Sequence, residues 1–228
     1  MKTRITTIFW DLDGTLIDSE VVHYQAGILS ARNLGGLRAQ EELAVLPCGC
    51  DNQQGFEHLF KQKISPKNLE LFRSWEALTT EYVMQQIRPE QQIRQSMELF
   101  NYFYDLGLSQ SIVSNSPLKV IVHCLALLGI DDKCQHIFSR DSVLLGKPDP
   151  QLYLNALDYH QVDRAQCLCF EDSATGISAA KAARLAVIGV GAASEKSAPD
   201  LVCRLDKANW REQLLLHYEF SSNQVSSR

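Results

Sequence analysis

The chain has 228 residues, 45% hydrophobic and 21% charged, the balance of a soluble globular protein with room for one large domain or two modest ones. A net charge of −5 with no block of Lys or Arg excludes the footprint of a nucleic-acid or anionic-membrane partner. No apolar run approaches the roughly 20 residues that span a bilayer.

The first apolar run, Ile5–Trp10, predicts a buried strand. It is too short for a signal peptide, although Lys2 and Arg4 precede it, because it stops at Asp11. It runs into Asp11-Leu12-Asp13-Gly14-Thr15, where Gly14 marks a turn. Side chains alternate along a strand, so Asp11 and Asp13 start on one face. Two carboxylates so close repel each other unless a cation sits between them. At the carboxyl end of a parallel strand, where open α/β sheets bind ligands, such a pair points to a Mg²⁺ site.

Asp18 or Ser19 is set to cap a helix through Val21, Val22, Ala26, Leu29 and Ser30. From there to about Arg88 the strand pattern disappears. Glu41–Leu46, Gln54–Lys63, Pro66–Phe72 and Trp75–Ile87 read as short helices, punctuated by Pro47-Cys48-Gly49 and Ser65-Pro66. Residues 18–88 are thus expected to form an all-helical insertion, with 1–17 and 89–228 as the main domain. After Arg88 the chain alternates. Helices are expected over Ser96–Leu106, Lys119–Leu128, Pro150–Tyr159 and Ser173–Ala183, and strands over Gln110–Ser114, His136–Ser139, Cys167–Phe170 and Leu185–Val190. Gly129 suits a helix C-cap, and Asp149 with Pro150 a helix start. Such alternation implies an α/β fold with a doubly wound parallel sheet and right-handed crossovers. The polar tail Ser221–Arg228 reads as frayed.

There are seven cysteines, an odd number, which with no export signal favours free thiols in the cytoplasm. Two Cys-x-Cys pairs occur, Cys48/Cys50 and Cys167/Cys169, but neither has a matching His or Cys cluster for a metal. Cys167 and Cys169 are expected to fill one face of a buried strand.

Three further stretches fall at the ends of predicted strands or in the loops after them: Ser114-Asn115-Ser116-Pro117, Gly146-Lys147-Pro148-Asp149-Pro150 and Phe170-Glu171-Asp172-Ser173. Together with Asp11-Leu12-Asp13-Gly14-Thr15 they resemble, in order and spacing, the four motifs of the haloacid dehalogenase-like hydrolases. The resemblance covers almost the whole chain. It is strongest to the subgroup with a helical cap inserted after the first motif, which includes small-molecule phosphatases and β-phosphoglucomutases.

The resemblance implies roles that the residue chemistry supports. Asp11 would be the nucleophile that takes up the phosphoryl group, and Asp13 the general acid-base. Ser114 would bind phosphoryl oxygens, with Asn115 as a second contact. Lys147 would neutralise the transferring group and the Asp11 carboxylate. Asp11, Asp172, Glu171 and the backbone carbonyl of Asp13 would hold Mg²⁺. In the cap, His23 sits where several relatives place a substrate-contacting His, and Gly49 in the loop that reads the substrate. Departures from the mutase pattern are Thr15, where mutases carry Val, and Cys48, Asn52 and Thr79, where they carry basic residues. Without those cations a second phosphate is poorly held.

The expected function is hydrolysis of a small phosphorylated metabolite, a sugar phosphate being favoured, with the cap closing over the substrate. The alternatives are a hexose-phosphate mutase and a non-catalytic phosphometabolite-binding module. A mere binder has no need of Asp13. No heptad stripe demands a dimer, so a monomer or weak homo-oligomer is expected.

Overall fold

The computed structural model describes residues 2–36, 52–203 and 210–221. The chain divides into two compact units, 1–18 with 89–228, and 19–88.

The larger unit is built on a six-stranded, all-parallel sheet in the order β4-β3-β2-β5-β6-β7. Its strands are β2 (Thr7–Trp10), β3 (Ser109–Val113), β4 (His136–Phe138), β5 (Cys167–Glu171), β6 (Ala186–Val190) and β7 (Leu201–Cys203). From β2 the chain moves outward through β3 and β4, then returns to the other side of β2 for β5, β6 and β7. The sheet therefore reverses direction between β2 and β5, which is where open α/β sheets form a crevice at their carboxyl ends. A parallel sheet is covered on both faces, and β2 and β5 are accordingly buried along their whole length.

Neighbouring residues of β2 serve opposite faces. Phe9 joins Tyr153, Ala156, Cys167, Cys169, Ile177 and Val187 in a core under α6 (Gln151–His160) and α7 (Ala174–Ala182). Trp10 faces α4 (Arg94–Asp105), stacking on Phe170 at 4.3 Å between ring centroids with Phe100 at 5.8 Å, and its indole N–H donates to Gln110 Oε1 at 2.8 Å. Trp10 is fully buried. Both members of the Cys167/Cys169 pair are also buried, on the Phe9 side.

Most elements lie within a residue or two of their expected positions. Helix α5 (Leu118–Leu128) ends at Gly129, whose φ of 63° is the left-handed value that glycine adopts at no cost. Asp149 accepts from the Gln151 N–H, and Pro150 stands at the cap position, so α6 starts one residue later than read. Three features were not legible. Strand β7 is three residues long, α8 (Trp210–His217) carries no clear apolar stripe, and β1 (Thr3–Ile5) pairs in parallel with β8 (Tyr218–Phe220), more than 200 residues away. Phe220 packs on Phe103 at 4.8 Å, which gives that pairing its apolar support.

The chain leaves and re-enters the larger unit through paired segments. Asp18 N–H donates to Gln91 O and Ile93 N–H to Leu16 O, at 2.8 and 2.9 Å. The smaller unit contains α1 (Glu20–Asn33), α2 (Asn52–Phe60) and α3 (Leu69–Gln86). Helix α3 merges two segments expected to be separate, since neither Gly nor Pro interrupts Arg73-Ser74. Its core is Ile28, Ala31, Phe56, Leu59, Phe60 and Trp75. The Trp75 indole donates to Gly27 O at 2.9 Å. The expected helix at Glu41–Leu46 lies outside the described residues.

Truncation of Trp10 is expected to leave a large void between β2 and α4. Trp10→Ala should lose about 3–5 kcal/mol in denaturant-induced unfolding. A second expectation concerns His160, whose ring packs on Phe9 at 5.5 Å and whose Nε2 lies 2.8 Å from Ser111 Oγ. Burial, and then the charge of His136, lowers its pKa from 6.5 to about 4. The unfolded chain therefore binds this proton more tightly, and stability is lost as the pH falls from 6.5 through 4. His160→Gln should flatten that part of a stability–pH curve and leave the region above pH 7 unchanged.

Candidate active site

Asp11 directly follows β2, and its backbone N–H continues the ladder to Phe170 O at 2.9 Å. The residue sits among strand ends with 7% exposure. Lys147, from the loop between β4 and α6, is equally buried, and its Nζ makes three short contacts. These go to Asp11 Oδ1 at 2.7 Å, Val113 O at 2.6 Å and Glu171 Oε1 at 2.5 Å. One ammonium thus gathers the ends of β2, β3 and β5, spending its three donors on a carbonyl and two carboxylates.

Asn115 holds the lysine from behind. Its Oδ1 accepts from the Lys147 N–H at 2.8 Å, and its Nδ2 donates to the Lys147 carbonyl at 3.0 Å. The side-chain amide thereby clasps the Lys147 backbone, and Gly146 makes this approach possible because a Cβ there would overlap Asn115 Oδ1. Ser114 is buried, and its Oγ accepts from the Ser116 N–H at 3.0 Å. Ser116 Oγ donates in turn to Asp13 Oδ2 at 2.5 Å. Asp13 is half-buried, in the tight loop after Asp11.

Glu171 ends β5 and is wholly buried, whereas Asp172 beside it is half-buried. Asp11, Glu171 and Asp172 each offer a carboxylate oxygen within 4.8 Å of the others. Two glycines clear space for them. Gly14 has φ +76°, and a Cβ there would run into the Asp172 carboxylate; a Cβ on Gly176, in the first turn of α7, would overlap Glu171. Ser173 caps α7 by accepting from the Gly176 N–H.

The electrostatics of the cluster are lopsided. Burial raises the Asp11 pKa well above the ordinary carboxylate value; Lys147 opposes this, while Glu171, Asp172 and Asp13 reinforce it. Burial works against the Lys147 charge, yet Asp11 and Glu171 more than offset it and hold the ammonium protonated. Glu171 Oε2 is buried without a hydrogen-bond partner among the described residues. Three converging carboxylates and an orphaned carboxylate oxygen fit a hard divalent cation that prefers oxygen ligands. No His or Cys enters this cluster, so the donor set does not suit zinc.

The model of the family described as haloacid dehalogenase-like hydrolase matches residues 8–190 of this chain. The chain belongs to that family. It is 28% identical over 202 residues to hexitol phosphatase B of Escherichia coli (strain K12), covering 87% of this chain and 89% of that enzyme. It is 27% identical over 208 residues to phosphoglycolate phosphatase of Photobacterium profundum, covering 87% and 91% of the two chains. Its fold matches that of β-phosphoglucomutase from Clostridium difficile with a TM-score of 0.69, at 20% identity over 92% of this chain and 96% of that one.

Asp11, Asp13, Ser114, Asn115, Lys147, Glu171 and Asp172 therefore sit at the end of one sheet, within the larger unit of this family member. His23 belongs to the other unit, half-buried in the first turns of α1. Gly49 lies outside the described residues. Sequence reading gave no part to Tyr153, whose hydroxyl donates to Glu171 Oε1 at 2.5 Å. Burial, and then the charge of Glu171, raises its pKa and keeps it a donor. The signal available was its place on the apolar face of α6 with Leu152, Ala156 and Leu157, where a buried hydroxyl needs a partner.

Because the raised Asp11 pKa means that ionising this carboxylate costs more in the folded than in the unfolded state, its charge destabilises the cation-free protein above its ordinary pKa of 3.8. Asp11→Asn removes that cost together with one of the two carboxylates that hold the Lys147 ammonium. In chelator, the fall of stability as the pH rises above 3.8 should therefore be shallower in the variant than in the wild type, measured by denaturant unfolding across pH. In scanning calorimetry, added Mg²⁺ is expected to raise the melting temperature of the wild type and to raise that of Asp11→Asn less.

Proposed function

We propose that this phosphatase hydrolyses a small phosphorylated metabolite, in the first instance a sugar phosphate, through an aspartyl-phosphate on Asp11, with Mg²⁺ as cofactor. The observation that carries the reading is the buried Asp11 carboxylate at the end of the central strand, held by Lys147 at 2.7 Å, with Asp13 following in the adjoining loop. An Asp11 oxygen attacks phosphorus, and the phosphorus–oxygen ester bond breaks. Asp13 gives its proton to the departing alkoxide. Asp13 then takes a proton from a water molecule, whose oxygen attacks phosphorus and returns Asp11 as a free carboxylate with release of phosphate.

Lys147 orients Asp11 and offsets charge as the phosphoryl group transfers. Ser114 accepts from the Ser116 N–H, which leaves its own hydroxyl proton for a phosphoryl oxygen. Asn115 keeps one amide hydrogen for substrate while it clasps Lys147. Asp11, Asp172, Glu171 and the carbonyl of Asp13 would hold Mg²⁺, which supplies charge neutralisation at the phosphoryl group. The helical unit is the proposed substrate-selecting cap, with His23 and Gly49 as its candidate contacts.

Sugar-phosphate hydrolysis is supported by the name of the hexitol phosphatase relative and by Thr15, Asn52 and Thr79, which stand where mutases of the family carry Val and cations. A cytoplasmic location fits the thiols. Cys124, Cys134, Cys167 and Cys169 are free, and burial pushes Cys124 and Cys167 up to about 12, so both stay protonated. No helix among the described residues is long and apolar enough to cross a membrane.

The test is hydrolysis of an aryl phosphate and a panel of sugar phosphates with Mg²⁺ or with chelator. Turnover should require Mg²⁺, and Asp11→Asn should reduce it by at least about a thousandfold. Conversion of a hexose phosphate into its isomer without phosphate release would instead identify a mutase. Mg²⁺ binding with neither reaction would leave a binding module.

A further inference from the structure

The two oxygens of Glu171 have unlike surroundings. Oε1 receives two donors, Lys147 Nζ and the Tyr153 hydroxyl, each at 2.5 Å. Oε2 is buried and has no hydrogen-bond partner among the described residues. Tyr153, in the first turn of α6, is itself fully buried, and its ring lies 5.2 Å from Lys147 Nζ. Its ring therefore supports the lysine while its hydroxyl holds the glutamate.

The contact is more than packing requires. A phenylalanine would fill the same space among Phe9, Leu152 and Ala156 and would keep the cation–π contact. The hydroxyl adds one thing, a second hydrogen bond to Oε1. With both donors in place, rotating the Glu171 carboxylate out of its plane would break two charge-assisted bonds at once. The backbone of α7 packs closely on this carboxylate at Gly176, where a Cβ would overlap both of its oxygens, yet it supplies Oε2 with no hydrogen bond. A buried carboxylate oxygen left bare is costly unless a ligand completes it.

We propose that Tyr153 is a positioning residue. By filling Oε1 together with Lys147, it turns Glu171 so that Oε2 binds the divalent cation directly and not through water. This rests on the Mg²⁺ reading of the site given above. The Tyr153 hydroxyl acts through Glu171 alone, while the ring contact with Lys147 is one that phenylalanine keeps. Outer hydrogen-bond partners of metal ligands fix ligand orientation, and their loss typically weakens metal binding roughly 10- to 100-fold.

The experiment uses the full chain stripped of metal and Mn²⁺ as the probe, with free Mn²⁺ followed by electron paramagnetic resonance. Tyr153→Phe is expected to weaken Mn²⁺ binding roughly 10- to 100-fold, and Glu171→Gln at least as much. The double variant should bind no more weakly than Glu171→Gln, because Tyr153 works only through that carboxylate. At saturating Mg²⁺, Tyr153→Phe should recover near-wild-type kcat with an unchanged KM for the phosphate ester, while needing more metal to do so. A purely structural role would not produce that split.

Wild-type affinity in Tyr153→Phe beside a weakened Glu171→Gln would overturn the role of Tyr153 and leave the metal site intact. Wild-type affinity in Glu171→Gln would overturn direct ligation. Failure of the wild type to bind Mn²⁺ would remove the metal reading itself. Should Tyr153→Phe fail to fold, infrared difference spectra of the wild type on adding Mg²⁺ still decide the point. Direct ligation predicts a changed splitting of the carboxylate stretches that is missing from Glu171→Gln, and an unchanged spectrum would refute it.

Discussion

The buried ammonium of Lys147 is the interaction on which the site depends. It is almost fully withdrawn from water and bonded to Asp11, Val113 and Glu171, which stand at the ends of three different strands. A lysine so placed gives up its hydration, and its charge survives because two carboxylates stand within 2.7 Å. Those carboxylates in turn tolerate burial because of the lysine. The balance is incomplete, since burial first, and then Glu171, Asp172 and Asp13, keep Asp11 hard to ionise despite Lys147. The three converging carboxylates of Asp11, Glu171 and Asp172 form an oxygen donor set that fits a hard divalent cation.

Such a cluster needs a scaffold that brings chain segments together at one edge. The reversal of strand order between β2 and β5 does so, because the loops after both strands open into the same crevice. The aromatic packing of Trp10 on Phe170 and of Phe9 against α6 and α7 fixes β2 and β5 from opposite faces. At the strand ends, absent side chains matter as much as present ones. Gly14, Gly146 and Gly176 leave room for Asp172, Asn115 and Glu171, so the polar groups approach each other through backbone that carries nothing in the way.

A second layer of contacts refines the first. Asn115 grips the backbone of Lys147, Ser116 donates to Asp13, and Tyr153 donates to Glu171. Each acts on a group that could otherwise rotate, and rigid orientation of such groups is what makes electrostatic stabilisation effective without reorganisation during the reaction. The two Ser hydroxyls and the Asn amide belong to the short connection between β3 and α5, which links the lysine loop to the Asp13 loop.

Much of this was legible in the sequence. The apolar run ending at Asp11, the alternation of strands and helices after Arg88, and the loss of strand pattern before it determined the parallel sheet and the position of the helical unit. They did so because burial on two faces and amphipathic periodicity are local properties. The four motif stretches were legible through their resemblance to the haloacid dehalogenase-like hydrolases, and Gly and Pro mark the loops that carry them. What the sequence could not yield are contacts made across the fold. The pairing of β1 with β8, the grip of Asn115 on Lys147, and the bond from Tyr153 to Glu171 join residues that nothing in the linear order connects. Whether a given oxygen is filled or bare, as with Oε1 and Oε2 of Glu171, depends on how three separate segments pack around it. Only the tertiary structure decides that, because hydrogen-bond distance and desolvation are properties of assembled space and not of order along the chain.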